Sequence, residues 1–271
     1  MQPRKAAIAE HMLCEIYTLH FDINTPPGHP SKIEEYIVKG WIGQKKDTIK
    51  REYTYERDKL VKVIDNEFGG NSTYVLTYDD KGRHTLIDQQ TPNGSFHKDT
   101  FEYYSNGVID AMRHHFMFNK TEEILRFNFY GNTDSLLISS TEGPEICYFR
   151  ELNDTLFITR IWRDYQGIVL SNKVETYDKK NRLVRITFIE KGRVDRTINF
   201  TYDDYGNQLS RVDQDVDNII GGSGGVLAIS TPDAYRTIYE YDSLGNWIKK
   251  RESNTSGKYN AITTRKIIYK Q

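Results

Sequence analysis

The chain has 271 residues, of which 37% are hydrophobic and 13% aromatic, a length that suffices for one large domain or two modest ones. Lysine and arginine together number 37 and aspartate and glutamate 38, so the formal net charge is −1. This balance argues against a general role in binding nucleic acid or an anionic membrane surface. Because no apolar run reaches about 18 residues, no transmembrane segment is expected.

The first 50 residues are predicted to form a cap on the rest of the fold. Residues 3–12 suggest a short helix, and Glu15–Ile23 alternates as a strand does. The prolines of Thr25–Pro30 predict a loop, after which a second strand pattern continues through Gly40. Since residues 1–50 match the repeats described below poorly, we interpret them as an atypical end that covers an open sheet edge.

The N-terminal sequence leaves the compartment open. Met1–Ala9 begins with basic residues, but Glu10 and His11 interrupt the apolar stretch that a secretion signal needs. The residues themselves therefore favour the cytoplasm, and a location in the cell envelope requires a leader beyond this sequence. Cys14 and Cys147 are either two free thiols or one disulfide, and both alternatives stay open.

A repeated strand–turn–strand pattern organises the remaining chain, and Tyr239–Lys250 shows it best. Tyr239 and Tyr241 are two residues apart, so on a strand they share one face. Asp242 is predicted to fold its carboxylate onto backbone N–H groups two residues further on, which starts a turn. Gly245 is predicted to supply the positive φ that closes a hairpin loop.

Closely similar copies lie at Tyr78–Arg83, Tyr177–Arg182 and Tyr202–Asn207, and degraded copies begin at residues 55, 104, 130 and 149. Most copies are about 19 to 28 residues apart, which is typical of hairpin-sized repeats. A single hairpin is marginal in water, so neighbouring hairpins must pair. The predicted fold is therefore all-β: residues 51–271 form consecutive antiparallel hairpins in one long, twisted and curled sheet. The predicted structural anchors are Tyr78, Gly82, Tyr177, Asn181, Tyr202, Gly206, Tyr241 and Gly245.

Two other segments carry specific predictions. Residues 213–234 interrupt the repeats, and their cluster of glycines predicts a flexible loop, where binding sites often lie. Asp213, Asp215 and Asp217 have the opening spacing of a calcium loop, but Asn218 and Gly224 stand where such a loop needs glycine and glutamate. They are weak metal candidates. Thr121–Glu123 is predicted to be a turn.

The sequence contains none of the common catalytic motifs and no phosphate- or dinucleotide-binding glycine loop. His114 and His115 are adjacent, so on a strand they point to opposite faces. His84 and His97 show no partner at a spacing typical of metal ligands, and the histidines are interpreted as exposed or satisfied by packing. No catalytic residue, cofactor or metal ion is therefore expected.

The pattern Tyr-Asp-x-x-Gly-Asn followed by a hydrophobic run resembles the YD-repeat (rearrangement-hotspot, or Rhs) family over approximately residues 53–269. The resemblance is closest to short Bacteroidetes-type envelope versions without a toxin domain. In large relatives many repeats surround a toxic cargo and a self-cleaving Asp-Pro motif closes the shell. This chain has about eight units and no Asp-Pro pair, so neither cargo nor self-cleavage is implied.

These observations favour a non-enzymatic β-repeat protein of the bacterial envelope that presents a surface to a protein or glycan. One alternative is an intracellular immunity or carrier accessory of a toxin system, which the missing leader motivates. The other is a hydrolase whose scattered carboxylates meet on a concave sheet face, because such sites leave no motif. The ligand and the oligomeric state are not encoded in any recognisable pattern.

Overall fold

The structure is a computed structural model that describes residues 26–41, 43, 45–67, 71–105, 109–117, 121–130, 135–140, 143–215 and 233–269. The described residues form eighteen β-strands and no helix. The strands are β1 Pro30–Trp41, β2 Asp47–Glu56, β3 Lys59–Asp65, β4 Ser72–Tyr78, β5 His84–Thr91, β6 Gly94–Tyr103, β7 Ile109–Phe116, β8 Thr121–Tyr130, β9 Ser135–Ser140, β10 Gly143–Leu152, β11 Thr155–Arg163, β12 Val169–Tyr177, β13 Leu183–Glu190, β14 Arg193–Tyr202, β15 Gln208–Asp215, β16 Asp233–Tyr241, β17 Trp247–Asn254 and β18 Tyr259–Tyr269.

The strands belong to one sheet in which neighbours along the chain are hydrogen-bonded, and each pair with a defined register is antiparallel. The predicted all-β class is thus confirmed. β1 is an internal strand that pairs with both β18 and β2, since Ile33 lies opposite Ile267 on one side and Tyr53 on the other. The predicted helix at 3–12 and strand Glu15–Ile23 fall outside the described residues, and the division at residue 50 remains a prediction.

The structure corrects two boundaries. Thr121–Glu123 is the beginning of β8, so the predicted turn there is wrong. The predicted insertion at 213–234 begins and ends within strands, because β15 continues to Asp215 and β16 starts at Asp233. No described residue belongs to a helix long and apolar enough to cross a membrane.

The chain divides into two compact units. The described residues 126–237 and 254–256 form what we call the central unit, and residues 26–125, 238–253 and 257–269 form the terminal unit.

Alternate residues build the core of the terminal unit. In β2, Ile49, Arg51, Tyr53 and Tyr55 are buried while the residues between them are partly or fully exposed, as expected for a strand with one covered face. Facing residues from neighbouring strands complete one cluster, which consists of Ile33, Tyr53, Tyr55, Leu60, Val63, Tyr74, Leu76 and Ile87.

The central unit has a core with an ionic centre. Buried Leu156 and Ile158 alternate along β11, and the next residue in this series is Arg160. The Arg160 guanidinium donates to Glu145 Oε2 and to Glu175 Oε1, both at 3.1 Å. Although burial acts to lower the pKa of Arg160, the two carboxylates hold it above its ordinary value.

Candidate functional site

The anchor turns share one hydrogen-bond arrangement, which the turn Asp79–Arg83 illustrates. The Gly82 N–H donates to the Asp79 carbonyl at 2.9 Å, and the Asp79 N–H donates to the Arg83 carbonyl at 2.9 Å. Asp79 Oδ1 also accepts the N–H groups of Lys81 and Arg83. Gly82 has φ +84°, the conformation that a type I turn followed by a left-handed residue requires. The backbone bonds recur at Asp178, Asp203 and Asp242, with positive φ at Asn181, Gly206 and Gly245.

Two of the anchor tyrosines bond the hairpin that precedes their own turn. The Tyr78 hydroxyl donates to the Leu60 carbonyl at 2.7 Å, and the Tyr202 hydroxyl donates to the Leu183 carbonyl at 2.6 Å. Tyr177 differs, because it is 1% exposed and donates to Glu175 Oε2 at 3.0 Å. The Tyr241 ring lies 6.0 Å from that of Tyr239. The contacts of Tyr78 and Tyr202 thus join neighbouring strands.

A cation at the end of one turn lies on the tyrosine ring of the next hairpin. Arg83, which donates to Asp79 Oδ2, places its guanidinium 4.2 Å from the Tyr103 ring centre. Arg182 lies in the same way 5.1 Å from the Tyr202 ring centre. Cation–π contacts of this kind link successive turns and stabilise their spacing.

Asp213, one of the three predicted calcium candidates, is paired with arginine side chains. Asp213 contacts the Arg196 guanidinium and lies 3.5 Å from Arg211 Nη2. The hydrogen bond from Arg196 lowers the pKa of the Asp213 carboxyl. Asp215 ends β15, and Asp217 lies outside the described residues.

Cys147 is buried in β10, and burial raises the pKa of its thiol to about 12. A thiol with this pKa is unreactive at neutral pH. Cys14, with which Cys147 would form the alternative disulfide, lies outside the described residues.

His97 and His114 are both buried, and each lies beside the carboxylate of Asp99. Asp99 follows His97 by two residues on β6, and the β6–β7 register places Asp99 opposite His114. All three side chains therefore share one face and are buried. The sequence did carry a signal, a His-x-Asp pair in one strand with a histidine in the next, but its use requires the register of the hairpin.

A row of alternating charge crosses four adjacent strands of the terminal unit. Arg265 of β18 lies opposite Glu35 of β1, Glu35 lies opposite Arg51 of β2, and Arg51 lies opposite Asp65 of β3. Arg265 donates to Glu35, and Arg51 Nε donates to Asp65 Oδ2 at 2.8 Å. The Tyr53 hydroxyl also donates to Glu35 at 2.8 Å. We call these four charged residues the charge ladder.

Beside the charge ladder, the same face opens into a cleft of about 280 Å³. Ile49, Ala261 and Thr263 form its buried floor. The mouth carries ionic pairs, because Lys39 contacts Glu67 and Lys250 lies 3.0 Å from Glu252. The other lining residues are Ile37, Arg51 and Tyr259. We call this site the polar cleft; its residues come from β1, β2, β17 and β18 and from Glu67 after β3.

Comparisons with known proteins give no family assignment. No family model matches the chain, and no curated protein matches it. Among solved structures, a porin-like protein from Bacteroides uniformis is similar with a TM-score of 0.44 and 13% identity over 91% of this chain and 100% of that chain. A porin-like protein from Bacteroides vulgatus gives a TM-score of 0.41 and 12% identity over 73% of this chain and 94% of that chain.

The crystal structure of TcdB2-TccC3-Cdc42 gives a TM-score of 0.33 and 16% identity over 85% of this chain, which spans 11% of that chain. Similarities at this level support no conclusion about activity, and the resemblance to YD repeats stays a prediction.

Proposed function

We propose that the protein is a non-enzymatic binding protein of the bacterial envelope that takes a glycan in the polar cleft. The observation that carries the proposal is the lining of the cleft, where charged donors and acceptors surround an apolar floor. Pockets that bind small ligands have this form, with a few convergent polar groups that set orientation.

The charges at the mouth favour a hydroxylated ligand over a strongly ionic one. Lys39 and Lys250 are matched by Glu67 and Glu252, and Arg51 is matched by the adjacent Asp65, so no excess of one sign attracts a polyanion. Ammonium groups donate and carboxylates accept hydrogen bonds, and a sugar hydroxyl does both. Tyr259 adds an aromatic ring with an apolar body and a polar tip.

The carboxyl groups argue for binding rather than hydrolysis. A glycoside hydrolase needs a general acid whose pKa is raised. The carboxyl groups of seven residues have pKa values below their ordinary values, the direction opposite to that of a general acid: Glu34, Asp79, Asp99, Glu175, Asp178, Asp213 and Asp242. The envelope location is supported by the repeat pattern, which resembles YD-repeat envelope proteins.

A glycan array followed by calorimetric titration of the strongest hit tests this proposal. We expect Tyr259→Ala and Glu252→Gln each to weaken binding about tenfold or more, the effect of losing a ring contact or a charged acceptor. Tyr205→Ala is the matched control, because Tyr205 is 66% exposed and is not among the residues that line the polar cleft. An array without hits, or a hit that the cleft variants bind unchanged, contradicts the proposal.

A further inference from the structure

His97, Asp99 and His114 form a compact group of metal-ligating side chains on one face of the β6–β7 pair. One ligand atom from each residue can be chosen so that all lie within 4.8 Å of one another. His97 Nε2 lies 3.5 Å from Asp99 Oδ2, and the two imidazole rings are 4.7 Å apart between centroids. His114 Nδ1 contacts Asp99 Oδ1.

The group is shielded from solvent. The side chains of His97, Asp99 and His114 are 8%, 0% and 4% exposed. Burying a carboxylate is costly unless a cation or several hydrogen bonds compensate its charge. The residues opposite on β5 are Ile87 beside Asp99 and Gln89 beside His97, and neither is charged.

We propose that His97, Asp99 and His114 bind a zinc ion that fastens β6 to β7. Two imidazoles and one carboxylate suit zinc, whereas calcium and magnesium prefer oxygen ligands alone. Three protein ligands leave one of the four tetrahedral positions to a water molecule.

This inference is independent of the proposed glycan site, because the lining of the polar cleft includes no residue of β6 or β7.

Zinc uptake by the full chain tests the proposal. After chelator treatment, the protein is dialysed against zinc and its metal content is measured by mass spectrometry. We expect one zinc ion per chain in the unchanged protein and in His115→Gln, and affinity reduced about 100-fold or more in His97→Gln and His114→Gln. His115 is the matched control, since it neighbours His114 on β7 but faces the opposite side.

Cobalt substitution provides a second measurement that does not depend on how the variants fold. Cobalt in the unchanged protein is expected to give the intense visible absorption of a four-coordinate site. A cobalt spectrum like that of the aqueous ion, no bound zinc in the unchanged protein, or equal uptake by His97→Gln and His114→Gln overturns the proposal. The three residues are then a hydrogen-bonded group without a metal.

Discussion

Arg160 illustrates how a single side chain supports the central unit. Its side chain is 8% exposed, and its guanidinium bridges Glu145 of β10 and Glu175 of β12. Lys173 lies 2.8 Å from Glu175 and shares that carboxylate. The charges of three neighbouring strands therefore compensate one another, and removal of the shared cation leaves two carboxylates with too little compensation.

Arg160→Ala is expected to lower the free energy of unfolding by about 3–5 kcal/mol, the cost of breaking a buried ion pair from one side. Urea denaturation of both proteins at neutral pH measures the difference. Arg150→Ala is the control, because Arg150 is exposed on β10, and we expect a change within about 0.5 kcal/mol. Equal effects of the two substitutions would show that Arg160 has no special role.

At the scale of elements, the turns depend on one residue with positive φ. Gly206 has φ +91°, and no atom lies within 4 Å of the position that an added Cβ would occupy. A side chain at this position therefore costs only backbone strain, without a clash. Asn181 occupies the equivalent place in its own turn with φ 61°, which shows that asparagine is accommodated there.

Gly206→Ala is expected to reduce the free energy of unfolding by about 1 kcal/mol, and Gly206→Asn by clearly less. Thermal and urea unfolding of the two variants beside the unchanged protein test this order. If Gly206→Ala lowers the free energy of unfolding no more than Gly206→Asn, the turn does not hold residue 206 in the left-handed region.

The turns also show how far local sequence reasoning reaches. An Asp followed three residues later by Gly or Asn forms a turn through contacts within five residues. The sequence alone therefore predicts the four anchor turns. The turn at Asp164–Ile168 has the same bonds, but the repeat pattern misses it because Arg163 replaces the tyrosine. Thr121–Glu123 was misassigned because strand pairing, rather than local preference, places these residues in β8.

At the scale of the whole molecule, the sequence alone does not predict the polar cleft. Its residues lie on strands from both ends of the chain, and their proximity follows only from the pairing of β18 with β1. The same holds for the charge ladder, where Arg265 and Glu35 are 230 residues apart. The fold class was encoded locally, whereas both sites depend on long-range register.

The ionisable groups predict a broad stability maximum around neutral to moderately alkaline pH. Burial acts to raise the pKa of Asp99, Glu175, Asp178 and Asp242, but hydrogen bonds and cations hold each below its ordinary value of 3.8 or 4.5. These four ionised carboxylates stabilise the folded protein at pH values above their ordinary pKa values. This stabilisation is lost as the pH falls through and below those values. Burial lowers the pKa of His84 from 6.5, which adds a loss of stability below that pH.

On the alkaline side, burial raises the pKa of Tyr269 to about 12, above its ordinary value of 10.0. This contribution is complete below pH 10.0 and disappears as the pH rises to about 12. Urea midpoints between pH 3 and 12 are expected to be flat from about pH 7 to 10 and to fall on both sides. A midpoint that rises continuously towards acid would contradict these directions.

The position of β1 between β18 and β2 also affects how the chain is made. The ribosome synthesises residues 30–41 long before residues 259–269. One edge of β1 therefore lacks its hydrogen-bonding partner β18 until residues 259–269 have been made. Such distant pairing slows folding and prolongs the time during which an unsatisfied strand edge can capture another nascent chain. The terminal unit can therefore be completed only after β18 has been synthesised.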